Sequence, residues 1–324
     1  MRQANIDAPG VVAAIRRFWQ RSYASDYVGF VLLLAVYIWV QFFFEPVHQM
    51  FRLDNRAKQY PHALVERVSA GENILVAGVG PLVVLIIWAV VMRPGVHHAH
   101  VTILGLLISL FLASLLTDII KNAIGRPRPD LIARCKPEAG TPEHELVTIV
   151  VCTETDHHTL HDGWRSFPSG HSSWAFAGLG YLALFLAGQM HVFRPHADLA
   201  RILIFLAPLA GAALVAMSRL ADYRHDIYDV TCGSLLGMSV AYITYRRYFR
   251  PLRHPKCDVP YPNRADYALA RAARAAKARP RDLEQQLEDE FSLSDHSEDE
   301  SEAYLLTESG PARTRDHVET AQPP

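Results

Sequence analysis

The apolar residues of this chain are gathered into six runs, and that clustering restricts the fold more than any other feature of the sequence. The runs extend from about Tyr27 to Phe44, Asn73 to Met92 with Pro81 inside, Val101 to Ile120, Ser173 to Gln189, Ile202 to Met217, and Ile227 to Tyr245. A bilayer core takes about 20 residues of helix. In lipid each backbone N–H and C=O must be satisfied within its own segment, so runs of this kind are expected as helices. The fourth and fifth are short and rich in Ala and Gly, which lets backbones approach closely in a bundle. The expected fold is all-α: an integral membrane bundle of six transmembrane helices. Averaged over 324 residues, 50% apolar and 20% charged would pass for a soluble protein. The shorter runs alone could be core helices of such a protein. Six in one chain, the first three nearly uncharged, argue against that.

The flanking charges set an expected orientation. Arg16, Arg17 and Arg21 precede the first run, and the segment after the sixth reads YRRYFRPLRHPK. Both ends are expected in the cytoplasm, with the loops after runs one, three and five facing the lumen or the exterior. Arg52, Arg56, Lys58 and Arg67 in the first outward loop run against the rule. The first run is long enough to be an anchor and is not read as a cleaved signal. The expected organisation is a cytoplasmic segment over 1–26, a six-span membrane domain over 27–250, and a cytoplasmic, largely disordered C-terminal tail over 251–324. Within the tail, 264–279 is Ala- and Arg-rich and could form a basic helix, while 283–302 is acidic and Ser-rich. A formal net charge of −1 gives no reason to expect nucleic-acid binding.

The long outward loop, about Lys121 to Ser172, and its neighbours carry three motifs. They are Lys121-Asn-Ala-Ile-Gly-Arg126-Pro-Arg128-Pro129, Phe167-Pro168-Ser169-Gly170-His171, and Ser218-Arg219 followed by His225 and Asp229. The spacings are K-x6-RP, PSGH and SR-x5-H-x3-D. The topology puts all three on one side of the membrane. Taken singly each has a bland explanation. Lys121 could snorkel to the interface, a boundary histidine could be a polar cap, and a His–Asp pair at i,i+4 could be a surface contact. Together they match the needs of phosphate chemistry, and charged groups this near a bilayer are functional candidates. An anionic ester needs cations, hydrogen-bond donors and a neutral nucleophile. Lys121, Arg128 and Arg219 supply the cations. Ser169 and Gly170 turn the chain into a helix N-terminus, whose free N–H groups favour an anion. If the segment is helical, Asp229 shares a face with His225, where it would hold one ring nitrogen and leave the other nucleophilic. His171 would be the acid that protonates the leaving group and then the base that activates water.

These blocks resemble those of the type 2 phosphatidic acid phosphatase superfamily, the lipid phosphate phosphatases. KNAIGRPRPDLIARC and DGWRSFPSGHSS are similar to the fungal diacylglycerol pyrophosphate phosphatase branch. The resemblance runs from the first span to the end of the sixth. It implies Mg²⁺-independent hydrolysis of phosphatidate, diacylglycerol pyrophosphate or lysophosphatidate in phospholipid metabolism, through a phosphohistidine. It implies no cofactor, and a phosphorylated lipid and membrane lipids as partners. By motif it makes His225 the nucleophile, His171 the acid and Asp229 the partner of His225, with Lys121, Arg128, Ser169, Gly170 and Arg219 on the phosphate. The expected location is an endomembrane (vacuole, Golgi or ER) or the plasma membrane, with the site on the luminal or extracytoplasmic side. Competing readings keep the site but change the substrate to a polyprenyl pyrophosphate or other phosphomonoester, or make the chain a non-catalytic scaffold or lipid transporter. Soluble vanadium haloperoxidases have similar motifs, but six spans argue against that reading.

Some features stay open. The four cysteines include no CxxC pair. Cys135 and Cys152 share the outward loop, where they could pair if it is luminal. Cys257 could be acylated or a free thiol. Asp118 could brace Lys121 or Asn122, or sit at the water boundary. Asp156-His157-His158-Thr-Leu-His161-Asp162 is ligand-rich but loosely spaced, and no metal is expected there. Phosphorylation of Ser292, Ser294, Ser297 and Ser301 competes with a plain solvated tail.

Overall fold

The computed structural model describes residues 23–262 and the helical positions 267, 269 and 271–273. The N-terminal arginines, the acidic Ser-rich stretch and most of the expected basic helix lie outside the described residues. The chain divides into two compact units, Met1–Asn263 and Arg264–Pro324, and the site lies in the first.

Among the described residues the fold is helical and contains no strand, only isolated bridges. Six long helices stand at the positions of the six apolar runs: α1 (Ala24–Phe43), α2 (Ala70–Met92), α3 (Val96–Ile124), α6 (Gly170–Gln189), α7 (Leu199–Ala221) and α8 (Ile227–Tyr248). Two short helices, α4 (Leu131–Cys135) and α5 (His157–Asp162), lie in the long loop. Four helices, α1, α2, α3 and α7, are long and apolar enough to cross a membrane.

Of the two less apolar helices, α6 and α8, the first has a clear physical reason. α6 is enclosed by other helices, so protein and not lipid covers it. Its buried face includes Ser172, Ser173, Ala175, Ala177, Gly178, Gly180 and Ala183. Small residues there allow close backbone approach. The main core joins α3, α6 and α8 through Leu106, Leu110, Tyr181, Phe185, Val240 and Tyr245.

α2 shows how one proline fits this packing. Ser69 and Glu72 form a capping box at its start. Leu75–Val79 then widens into a π turn just before Pro81. Proline has no N–H for the carbonyl four residues back, which is Ala77. Gly178 of α6 packs onto that carbonyl so tightly that an added Cβ would lie 1.7 Å from its oxygen.

At the other end of α3, Gly125 adopts φ +62 and ends the helix in the left-handed conformation. The chain then folds into a cap over the bundle. Phe51, Leu131, Cys135, Val147 and Trp164 form its own small core, and Trp164 donates to the Gln49 carbonyl at 2.9 Å. Cys135 and Cys152 are joined by a disulfide. Cys257 is a free thiol, buried, with its S–H directed at the Gly188 carbonyl at 3.4 Å. That burial leaves an attached acyl chain no room in this conformation.

The contact at Gly178 yields a direct test. Gly178→Leu forces α2 and α6 apart and is expected to cost about 1–3 kcal/mol or more. Melting of the purified protein in detergent measures it. Gly29→Ala is the control, because nothing lies within 4 Å of a Cβ there, and it should melt like the parent.

Candidate active site

Each motif sits where a helix ends or begins on the capped side. Lys121 lies in the last turn of α3, is buried, and donates to the Arg165 carbonyl at 2.6 Å. Arg128 follows the Gly125 turn. Its Nε donates to the Asp162 carbonyl at 2.8 Å and its Nη2 to the Asp162 carboxylate at 2.7 Å. Ser169 is the N-cap of α6, accepting from the Ser172 amide at 3.4 Å. Gly170 begins that helix, and a Cβ on it would already touch Lys121 Cε at 3.6 Å. The Lys121 stem thus lies along the helix start, at ordinary contact distance from that position. Arg219, in the last turn of α7, is 1% exposed and donates to Glu66 at 2.7 Å and to Asp222 at 2.9 Å.

His225 and Asp229 do come together, but not on one helical face. His225 precedes α8, whose N-cap is Asp226, and Asp229 sits in the first turn. A capping box between Asp226 and Asp229 turns the chain so that Asp229 faces back toward the ring. His225 Nδ1 lies 3.6 Å from Asp229 Oδ2, beyond a normal hydrogen bond. Both side chains are almost fully buried.

Asp229 has other partners that the motif spacing does not reveal. Its Oδ2 accepts from the Ser166 hydroxyl at 2.5 Å and from the Asp226 amide at 3.1 Å. Its Oδ1 accepts from Arg126 at 2.7 Å, and Arg126 also pairs with Asp226. Its backbone carbonyl accepts from the Ser169 amide at 2.9 Å. One residue thus ties the third motif to the other two.

Acidic partners hold the cations. Asp162, a member of the His-rich segment, joins Arg128 and Arg134. Among the described residues no group of three His, Cys, Asp or Glu side chains is arranged to hold a metal. Asp118 pairs with Arg165 at 2.9 Å, so it braces Lys121 through the residue whose carbonyl Lys121 uses. Glu66, from the loop between α1 and α2, pairs with Arg219 and with Arg224 at 2.7 Å each, and its Oε2 lies 4.0 Å from His171 Nε2. The only sequence sign of Glu66 was the unexpectedly charged outward loop in which it stands.

Burial decides the titration of His225, and the arginine charges decide that of the two acids, Asp162 and Glu66. Burial pushes the His225 imidazole down to about 3, helped by the Arg128 charge, despite the opposing pull of Asp229. Burial alone would raise Asp162, but Arg128 and Arg134 outweigh it and hold that carboxyl well below its usual range. Glu66 follows the same pattern: burial raises it, and the Arg219 hydrogen bond and Arg224 charge bring it below the ordinary value.

His225 should therefore stay neutral as the pH falls through the ordinary histidine range. The unfolded chain takes up a proton below about 6.5 that the folded chain refuses until about 3. This group's contribution to stability is present above 6.5 and is lost as pH falls between those values. Histidine ¹⁵N NMR in micelles reads it; a His225 resonance titrating near 6.5 would contradict the buried geometry.

The PAP2 superfamily model matches residues 102–253, a span containing all three motif blocks. "Probable diacylglycerol pyrophosphate phosphatase 1" of Schizosaccharomyces pombe is 36% identical over 248 residues, 76% of this chain and 88% of that protein. Diacylglycerol pyrophosphate phosphatase 1 of Saccharomyces cerevisiae is 38% identical over 248 residues, 75% of this chain and 86% of that protein. Lipid phosphate phosphatase 2 of Arabidopsis thaliana is 41% identical over 181 residues, covering 56% and 62% of the two chains. Identity at that level, over most of the length of the two yeast proteins, shows that this chain belongs to the PAP2 superfamily and is a phosphatase.

Proposed function

We propose that this chain is a lipid phosphate phosphatase acting on phosphatidate, diacylglycerol pyrophosphate or both, through a phosphohistidine and without Mg²⁺. The observation that carries this reading is the buried pair of His225 and Asp229, electrostatically coupled to Lys121 and Arg128. The yeast relatives' names support the substrate class.

In this mechanism the substrate phosphate takes Lys121 from the Arg165 carbonyl and Arg128 from Asp162, and Arg219 adds a third cation while it keeps its Glu66 partner. Amides at the start of α6 and the Ser169 hydroxyl add donors. Asp229 faces Nδ1 of His225, so Nε2 carries the attacking lone pair. The Nε2–P bond forms as the P–O bond to the leaving group breaks, and the leaving oxygen takes a proton from His171. Asp229 offsets the positive charge that the phosphoimidazole acquires. A water then gives its proton to His171 and attacks phosphorus, the P–N bond breaks, and inorganic phosphate leaves. Three side-chain cations supply the charge stabilisation that a divalent ion would otherwise bring.

The same proposal takes α6 and α8 as two further spans, giving six, with the capped side facing the lumen or exterior of an endomembrane or the plasma membrane. The Cys135–Cys152 disulfide supports that orientation, because such bonds persist in oxidising compartments.

Purified protein in EDTA, given phosphatidate, diacylglycerol pyrophosphate and a polyprenyl pyrophosphate, tests the reading. Phosphate release from either diacylglycerol lipid is expected, and release from none of the three rejects it. His225→Ala should lose at least about a thousandfold in kcat, and His171→Ala about 10²–10⁴-fold. A ³²P label on the wild type should be acid-labile and absent from His225→Ala.

A further inference from the structure

Arg224 and Glu66 are not needed to hold one phosphate. Lys121, Arg128 and Arg219 already supply three cations. Yet Arg224, next to His225 in sequence, is 8% exposed and points its Nη2 at Glu66 Oε1 at 2.7 Å. The other oxygen of the same carboxylate lies 2.7 Å from Arg219 Nη1 and 4.0 Å from His171 Nε2. Glu66 thus bridges two guanidinium groups and stands beside the histidine that faces the leaving group in the proposed mechanism. Arg224 Nε and His171 Nε2 are buried without a hydrogen-bond partner, so both can take up a further acceptor.

In-line displacement fixes what belongs at that point. With His225 attacking from one side of phosphorus, the leaving group departs opposite, on the side of the acid. For a monoester that group is a single alkoxide oxygen. For a diphosphate it is a second phosphate, whose remaining oxygens need cations of their own. Lys58, Arg67 and His62 lie on the same loop as Glu66, but Lys58 donates to the Pro127 carbonyl, Arg67 to Asp222, and His62 pairs with Asp130. Arg224 also donates to the Ala63 carbonyl at 3.0 Å and lies 3.6 Å from Asp130, but its shortest ion pair is with Glu66, which it shares with Arg219, the cation common to the two seats.

We propose that Arg224 and Glu66 form a second anion seat, occupied by the Glu66 carboxylate and opened to the α-phosphate of a lipid diphosphate. This rests on the lipid phosphatase reading above. Glu66 swings away when the second phosphate arrives, so the seat favours diphosphates over monoesters at the same catalytic centre. Arg224 is a specificity residue in this scheme, bonded to the leaving group and not to the phosphorus under attack.

The test compares kcat/KM for diacylglycerol pyrophosphate and phosphatidate in mixed micelles, for wild type, Arg224→Gln and Arg224→Lys. Losing one charge-assisted contact should lower the diphosphate-to-monoester ratio by about tenfold or more in Arg224→Gln, with partial rescue in Arg224→Lys. An unchanged ratio, or equal loss on both lipids, overturns the proposal. Should Arg224→Gln not fold, competitive inhibition of the wild type decides. Inorganic pyrophosphate should bind about tenfold tighter than orthophosphate, and Glu66→Gln should widen that gap. Equal inhibition by both anions in the wild type overturns the seat. Wild type inactive on both lipids would sink the lipid phosphatase reading itself. Activity on both with an unchanged ratio sinks only the second seat.

Discussion

The carboxylate of Asp229 is the constraint on which the site depends. One oxygen is held by Arg126 and the other by Ser166 and the Asp226 amide, while its carbonyl receives the Ser169 amide. The donors come from three separate stretches of chain: the turn after α3, the approach to α6, and the start of α8. Each stretch holds one motif. A buried carboxylate satisfied this fully is rigid, and removing a single donor leaves a desolvated charge short of a partner. The alignment of the motifs is therefore coupled to the alignment of the helices. Close packing of Gly233 against Ser169 strengthens the coupling, since a Cβ there would meet the Ser169 carbonyl oxygen at 2.5 Å.

The same logic of paired charge extends across the capped side. Arg128, Arg134, Arg219 and Arg224 are all nearly buried, and each faces a carboxylate of Asp162, Asp130, Glu66 or Asp222. Guanidinium groups could not be buried here alone, because the desolvation cost exceeds what packing returns. The acids allow a dense group of cations to exist in a folded cap. They also define the positions an incoming anion must take, since phosphate oxygens can satisfy the same donors with similar geometry.

The fold was legible where helices meet lipid. α1, α2, α3 and α7 read directly from hydropathy, because a lipid-facing surface has to be apolar. The fourth apolar run starts at Ser173, whereas α6 begins at Gly170. Its polar first turn belongs to the PSGH motif, and polar residues do not extend an apolar run. In the site, Lys121, Arg128, Ser169, Gly170, Arg219, His171, His225 and Asp229 follow from the three motifs, their chemistry and their family resemblance, and all lie at or beside helix ends. The shared face of His225 and Asp229 holds only if the segment is helical throughout, and His225 precedes the helix, so it meets Asp229 across the cap. Glu66, Ser166 and Arg126 were not legible. Glu66 lies 153 positions from Arg219 along the chain, and a single acid in a loop carries no periodicity that could announce such a contact.

A neutral imidazole and a ring of cations place opposite demands on the fold, and the cap meets both. Burial keeps His225 uncharged, and the nearby Arg128 acts in the same direction. Those forces favour a free lone pair and oppose the positive charge that the ring gains once it bonds to phosphorus in the proposed mechanism. The opposition has to be offset at that moment and not before. Asp229 is placed for this: close enough to favour a charged ring electrostatically, yet at 3.6 Å too far to hold a hydrogen bond to the uncharged one. Because Arg126 and Ser166 already fix its oxygens, Asp229 needs little rearrangement when the charge appears. Such preorganised dipoles and charges are what make electrostatic stabilisation effective in a site that excludes water. Rigid placement of Asp229 therefore serves reactivity, and the close glycine packing of α6 and α8 is the structural condition for it.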